Sequence, residues 1–564
     1  MGIREEQIRE ESLWFGSTER PLFGRLTSPV GETTRGGVLL SPPIGRESRL
    51  ARRALRSLAI YLAIDGYVSL RFDHFGTGDS SGSMDDDGID RTWVEGVNQG
   101  VELLRSSGIS SVSAVGMRMG ATILGAAALA NDMSLTSFVM WDPCESGRTY
   151  VRELRALGQL RRQVVTVGLG ESTTMLEYPL SDEVANRIGQ FNLSESASRP
   201  SAERVLVVIR DDRTVSNDFR ERWDFEHVDW ATTSEQGPLL DTELPDSVQP
   251  ALTIAQIRAW LTAPEAQQSE YSVASRSLGA VITDESNAFA VRERVVELGT
   301  QRMFGVVSEP VGDVRGPLIL MVNGINEDHV GPSRLWVELS RRWAGLGLRC
   351  VRFDFNELGE SPWLPGQPDR PVFDKTLRYD VGDAVRAFNA ENPAESVLIG
   401  LCSGAQVALE AALELKNRGF YAINPQIGAG VLRSANRLRN SDRETVRSFA
   451  QRFDKILKRH LKVDEMIQRM SRLVLLSAFS PKVKSALVKN NSEMLLVIGP
   501  NDVSPFITIP VVGSLVGRRL ISSKHINVVI VPGLDHDFLS TLGRGRAIAI
   551  LDRHVVETFA DDAL

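Results

Sequence analysis

Five consecutive residues, Gly400-Leu401-Cys402-Ser403-Gly404, combine a nucleophilic side chain with the small neighbours that a strained turn requires. They follow the apolar run Ser396-Val397-Leu398-Ile399 and precede a helical pattern, Ala405-Gln406-Val407-Ala408-Leu409. A strand, a tight turn and a helix in that order thrust the central side chain out at the end of the strand. Glycines two before and two after it let strand and helix pass closely. Cysteine at the tip points to acyl transfer, in which a thiolate attacks a carbonyl and the Ser403 N–H, opening the helix, holds the developing oxyanion. Ser403 as nucleophile would place Leu401 where a small residue is needed, so Cys402 is the better candidate. The plainer alternative is a glycine-rich turn with Cys402 as a small packing residue. The rest of a catalytic set must decide between them.

A thiol needs a base, and the base needs a group that fixes its tautomer and balances its charge. Both follow in order. Asp502 comes after the strand pattern Met494-Leu495-Leu496-Val497-Ile498-Gly499, and His536 comes after Asn527-Val528-Val529-Ile530-Val531 in Pro532-Gly533-Leu534-Asp535-His536. In a parallel sheet both loops would open on the same edge as the cysteine turn. Taken singly, Asp502 reads as a turn former and His536 as a locally bonded loop histidine; order and loop position together favour a Cys402-His536-Asp502 triad. Asn424, in Ile423-Asn424-Pro425, is a lesser candidate for orienting His536, since an amide stabilises an imidazolium less than a carboxylate does. A second oxyanion donor is expected in Asn323-Gly324-Ile325-Asn326, most simply the Ile325 N–H.

The elements that must position these residues occur twice. Gly16 to Gly24 recurs as Gly299 to Gly305, Arg71-Phe72-Asp73 as Arg352-Phe353-Asp354, and Gly116-Met117-Arg118-Met119-Gly120-Ala121 as Gly400 to Ala405. So long a period means two copies of a domain. Within each copy short Val/Leu/Ile strands alternate with helices, which predicts a mostly parallel sheet covered on both faces. The expected division is an N-terminal domain over residues 1–262, a linker over 263–285 and a C-terminal domain over 286–564, with a helical insertion at about 429–489.

The cysteine turn, the doubled pattern and the loop Asp73-His74-Phe75-Gly76-Thr77-Gly78-Asp79-Ser80, kept loosely as Asp354 to Ser361, resemble the α/β-hydrolase superfamily with cysteine in the usual serine position. The resemblance covers most of both halves. It implies two tandem α/β-hydrolase domains and nucleophile-acid-histidine chemistry at Cys402, Asp502 and His536, and implies that the insertion forms a lid. Among relatives with such a cysteine turn, the chain is similar to off-loading thioesterases and Dieckmann-type cyclases. Polyhydroxyalkanoate synthases share the Gly-x-Cys-x-Gly box but lack a second hydrolase copy in their first half, and dienelactone-type hydrolases are single smaller domains.

The first copy reads as catalytically dead. Arg118 stands at the nucleophile position, an always-charged guanidinium that cannot attack a carbonyl. Asp212 survives at the acid-like place, but His227 lies in a strand pattern and not beyond it. Arg118 is expected either to bind an external carboxylate or phosphate or to form a buried salt bridge to Asp142 or Asp212.

Bulk properties exclude several classes. The 564 residues carry a net charge of −8, which gives no reason to expect nucleic-acid binding. Three cysteines, Cys144, Cys350 and Cys402, without paired spacing argue against disulfides and zinc, and for a reducing, cytoplasmic setting. Cys144 and Cys350 read as packing residues. No apolar run is long enough to span a membrane, and no nucleotide or metal motif is present, so no cofactor is expected. The insertion stands apart: residues 433–489 hold fifteen Lys or Arg against five Asp or Glu. That basic surface is either a solvated face or a dock for coenzyme A or an acyl carrier protein. The function expected is cysteine-dependent acyl transfer from a small-molecule acyl substrate activated as a thioester on coenzyme A or a carrier protein, or cyclisation. The alternatives are a carboxylic-ester hydrolase and a non-catalytic scaffold.

Overall fold

The structure is a computed structural model that describes residues 7–165, 181–195, 199–242, 246–263, 268–273, 277–284, 289–324, 327–367, 370, 374, 376–390, 395–425, 493–499, 526–536, 538 and 540–559. The expected lid, at about 429–489, lies outside them.

The strands are β1 (Ile8–Gly16), β2 (Pro21–Pro29), β3 (Thr33–Thr34), β4 (Gly37–Ser41), β5 (Val68–Phe72), β6 (Val112–Met117), β7 (Phe138–Trp141), β8 (Val205–Arg210) and β9 (Val228–Thr233) in the first half. There follow β10 (Ser269–Glu270), β11 (Gly279–Asp284), β12 (Phe289–Leu298), β13 (Met303–Pro310), β14 (Leu318–Val322), β15 (Arg349–Phe353), β16 (Ser396–Leu401), β17 (Gly419–Ile423), β18 (Glu493–Ile498) and β19 (Ile526–Ile530). One sheet runs β1-β2-β5-β4-β6-β7-β8-β9 and the other β11-β12-β13-β15-β14-β16-β17-β18-β19. Apart from β11 the orders correspond strand for strand. Each begins with an antiparallel hairpin and continues from β5-β4 or β15-β14 as parallel pairs. Both sheets are α/β in class, with the strand order of an α/β-hydrolase.

Parallel neighbours need crossovers, and helices supply them on both faces. Along β4, Leu39 packs into one core while Val38 and Leu40 pack into another. In β14, Leu318, Leu320 and Val322 face one side and Ile319 and Met321 the other. The two-residue alternation thus feeds a core on each face, which is why these strands read as unbroken apolar runs.

The linker reading needs correction. β10 pairs with β3 of the first half, and β11, within the expected linker, is the outermost strand of the second sheet. Ile282 is the anchor: it is buried against Val291 and Ala344, with Ala280 packed partly against the same cluster. His227 lies just before β9, also not in the loop beyond it.

The halves meet through reciprocal buried ion pairs. Arg71 donates twice, at 2.8 Å each, to Glu360 of the second half, and its counterpart Arg352 donates to Asp79 of the first. Arg56 donates to the carbonyls of Gly359 and Ser361, and Arg341 to those of Asp79 and Ser80. Behind each pair of arginines stands one carboxylate: Glu10 for Arg56 and Arg71, Glu293 for Arg341 and Arg352. Phe23 and Phe304, at corresponding places in the two hairpins, meet edge to face.

One buried residue breaks this symmetry. His329 lies between Asp354 (Nδ1 to Oδ2, 2.8 Å) and Asp79 (Nε2 to Oδ2, 2.6 Å) with no solvent exposure. Burial pushes its pKa down, but Asp354 and Asp79 outweigh that and hold it well above the ordinary histidine value. Arg352 beside Asp79 keeps that carboxylate ionised. A raised folded-state pKa contributes stability that is complete below the unfolded value of about 6.5 and lost as pH climbs through the folded value. The wild type is therefore expected to lose thermal midpoint above about pH 6.5, and His329→Gln to remove that fall. Parallel slopes for the two proteins from pH 6 to 9 would count against a charged His329.

Candidate active site

Cys402 sits where β16 ends, with φ 54° and ψ −122°, and the helix Ser403–Leu415 begins at the next residue. So unusual a backbone for a non-glycine residue costs on the order of 1–3 kcal/mol and persists only where the surroundings enforce it. They do so here. A Cβ on Gly404 would lie 2.2 Å from the Asn323 carbonyl oxygen, and one on Gly400 would lie 2.6 Å from that of Gly404. The Cys402 N–H is held by the Ile423 carbonyl at 3.0 Å. The side chain is partly exposed, whereas Cys144 and Cys350 are buried, and burial pushes both of those thiols up.

His536 reaches this cysteine across 134 residues of chain: its Nε2 lies 3.1 Å from Cys402 Sγ. It is carried by the turn after β19, pinned by the Val531 N–H on the Ile498 carbonyl (2.8 Å) and packed so closely that a Cβ on Gly543 would meet the Gly533 carbonyl. A histidine at that distance can take a thiol proton and leave a thiolate–imidazolium pair. Asp502 and Ile325 lie outside the described residues.

The hydrogen bonds of the Asn424 side chain run to backbone groups. Its Nδ2 donates to the carbonyls of Asp535 (2.9 Å) and His536 (3.2 Å), and its Oδ1 accepts from the Gly499 N–H (2.8 Å). The side chain therefore binds the histidine loop to the start of the loop after β18, and its sequence-based role as orienter of the ring is replaced by a clamp on the backbone. Asn424→Ala frees a buried carbonyl pair and an N–H, and a shift of the loop by about 1 Å costs roughly 100-fold. We expect kcat to fall by about 10- to 100-fold with little change in KM. Steady-state kinetics on the variant check this, and an unchanged kcat would refute the clamp.

The first half keeps the frame with arginine at the corresponding place. Arg118 has φ 52° and ψ −124°, and its N–H bonds the Trp141 carbonyl as that of Cys402 bonds Ile423. Its guanidinium donates to Glu47 (3.0 Å) and Glu153 (3.2 Å) and lies 3.6 Å from Asp142. Three internal carboxylates thus occupy the group expected as an anion site, so the salt-bridge alternative describes it. Asp212 is instead bonded to Arg210. Burial raises Asp142, the counterpart of Asn424, to about 7 despite Arg118 and Arg210 nearby.

The chain matches no family model and no curated protein sequence. Solved structures similar to it each span about half its length. An α/β serine hydrolase without a lid from Xanthomonas campestris is 17% identical, covering 48% of this chain and 95% of its own, with a TM-score of 0.29. Dienelactone hydrolase from Anabaena variabilis is 13% identical over 48% and 99%, TM-score 0.30. A soluble variant of monoglyceride lipase from Saccharomyces cerevisiae is 15% identical over 46% and 96%, TM-score 0.33. The fold itself is defined by its own strand order.

Among the described residues no group of three His, Cys, Asp or Glu is placed to hold a metal, and no helix is long and apolar enough to cross a membrane. Sequence reading missed His329 and the arginines that face it and its neighbours. Arg49, Arg52 and Arg56 fall on one helical face at spacings of three and four, a visible signal, but such a stripe is ordinarily solvated.

Proposed function

We propose that the protein is a cysteine-dependent acyl-transfer enzyme of the α/β-hydrolase kind. What supports this reading is the 3.1 Å approach of His536 Nε2 to Cys402 Sγ at the tip of a strained strand-to-helix turn. His536 takes the Cys402 proton and the thiolate attacks an activated acyl carbon, with the Ser403 and Ile325 N–H groups holding the tetrahedral oxyanion. Collapse breaks the bond to the leaving group, which receives the proton from His536, and leaves a thioester on Cys402. His536, oriented by Asp502, then deprotonates the acceptor that cleaves this thioester.

A thioester intermediate is open to amines, alcohols and carbanions as well as water, so transfer or cyclisation suits cysteine better than hydrolysis. Coenzyme A or a carrier protein is the proposed donor, met by the basic segment 433–489. The test is intact-protein mass spectrometry after mixing with acetyl-, hexanoyl- and palmitoyl-coenzyme A and p-nitrophenyl acetate. An adduct of acyl mass on the wild type that is lost in Cys402→Ala and His536→Ala supports the reading. Rapid turnover of the ester in water without an acceptor would instead identify a carboxylic-ester hydrolase. No adduct and no turnover with any of the four would leave the scaffold alternative.

A further inference from the structure

His536 is followed, five residues on, by the helix Thr541–Phe559, and the first turn of that helix bears on the histidine from behind. The Ser540 N–H donates to Oδ2 of Asp535, the residue next to His536 in the chain, and Ser540 Oγ accepts from the Gly543 N–H at 3.2 Å. The same turn meets the backbone before the histidine: a Cβ on Gly543 would lie 2.2 Å from the Gly533 carbonyl oxygen. At so close an approach the helix cannot shift toward Gly533 without moving it.

Arg544 fixes that turn from outside. Its N–H bonds the Ser540 carbonyl at 2.8 Å, and its Nη2 donates to Glu338 Oε2 at 2.6 Å and to the Ser333 carbonyl at 3.2 Å. Both acceptors are themselves firmly held. Glu338 stands on the helix Leu335–Gly345, whose Leu335, Trp336 and Leu339 are buried in one core with Leu534 and Phe538. Ser333 has φ 50° and ψ 33° and Arg334 has φ 63° and ψ 23°, two non-glycine residues in a row in the left-handed region. Such a backbone persists only where its surroundings enforce it. Here the first half supplies the enforcement, since Arg334 donates to the carbonyls of Gly76, Gly78, Ser80 and Gly82.

We propose that Arg544 is a positioning residue for the base: it ties the first turn of its helix to Glu338 and Ser333, and through Ser540 and Asp535 that turn holds His536 against Cys402. The proposal rests on the acyl-transfer reading, in which His536 takes the Cys402 proton. Proton transfer needs the two atoms within hydrogen-bond reach, and a displacement of about 1 Å costs roughly 100-fold. Asn424 grips the carbonyls of Asp535 and His536 from the sheet. Arg544 acts from the helix, so the histidine stands between two supports. The Arg544 side chain is 13% exposed, and a charge-assisted bond there is stronger than a neutral one.

The discriminating experiment follows alkylation of Cys402 by iodoacetamide in the full-length chain at pH 7 and at pH 10. At pH 7 the sulfur relies on His536 to take its proton; at pH 10 hydroxide removes it without the base. In Arg544→Ala the rate at pH 7 is expected to fall by about 10- to 100-fold while the rate at pH 10 stays within about twofold of the wild type. Arg544→Lys should restore part of the loss, because both side-chain bonds come from one nitrogen and an ammonium can make them. Adding Glu338→Ala to Arg544→Ala should cost little more than Arg544→Ala alone, since both remove one contact. Glu338→Ala by itself carries the same readouts if Arg544→Ala does not fold. An unchanged rate at pH 7, or rates falling together at both pH values, would overturn the proposal while leaving the acyl-transfer reading standing. A wild type that is alkylated but forms no acyl adduct would instead overturn that reading, and the proposal with it.

Discussion

Cys402→Ala is expected to abolish the acyl adduct and to lower turnover by at least about 1,000-fold, because in the proposed mechanism the covalent intermediate forms on its sulfur. His536→Ala should cost nearly as much, and the double variant little more than either single one, since nucleophile and base act as a unit. Ser403→Ala, one residue on, keeps its backbone N–H and should still acylate. If Ser403→Ala removes the adduct and Cys402→Ala keeps it, the nucleophile has been misassigned. Cys144 and Cys350 serve as internal controls, being buried with raised pKa values and therefore slow to alkylate.

Glu360→Gln is expected to destabilise the chain by about 3–5 kcal/mol, the usual loss when one partner of a buried ion pair is removed and the other stays. Glu360 accepts two 2.8 Å hydrogen bonds from Arg71 and lies 3.2 Å from Arg25 Nε, and its side chain is 1% exposed. Despite burial, which alone would raise it, those arginines with Arg56 hold its carboxyl well below the usual carboxylate range. A depressed folded-state pKa contributes stability that is present above the unfolded value of about 4.3 and disappears as pH falls through the folded value. The variant should accordingly lose stability at pH 7 and lose less than the wild type on acidification. Urea unfolding at pH 7 and pH 4 measures both, and a difference under about 1 kcal/mol at pH 7 would mean that the arginines are satisfied without it.

The strands and the elbow were legible in the sequence because they obey local rules. Gly37–Ser41 needs two-residue alternation between two cores, and Gly400 to Gly404 needs room for strand and helix to touch. Cys402 and His536 could be paired because chain order and loop position follow from a parallel sheet. The interface was not legible, since Arg71, Arg352, Glu293 and Glu360 look like ordinary surface charges until the partner half closes over them. β11 escaped because it is short and lies at the sheet edge, held mainly by the burial of Ile282 against Val291 and Ala344, residues that only the fold brings to it. Asn424 was recognised as part of the site but given the wrong target, because spacing says which loop a side chain stands in and not whether it meets a ring or a backbone.

The reciprocal pairing of Arg71 with Glu360 and of Arg352 with Asp79 has the form of a two-fold contact between identical subunits, written once into a single chain. Two separate polypeptides meeting this way would part on dilution and would also form like-with-like pairs. Tethering replaces the bulk concentration of a partner with an effective one that dilution does not change. Every molecule then carries one Cys402 turn beside one Arg118 turn, in fixed proportion at any expression level. The two turns can therefore carry different side chains, cysteine in one half and arginine in the other, with no molecule holding two of the same kind.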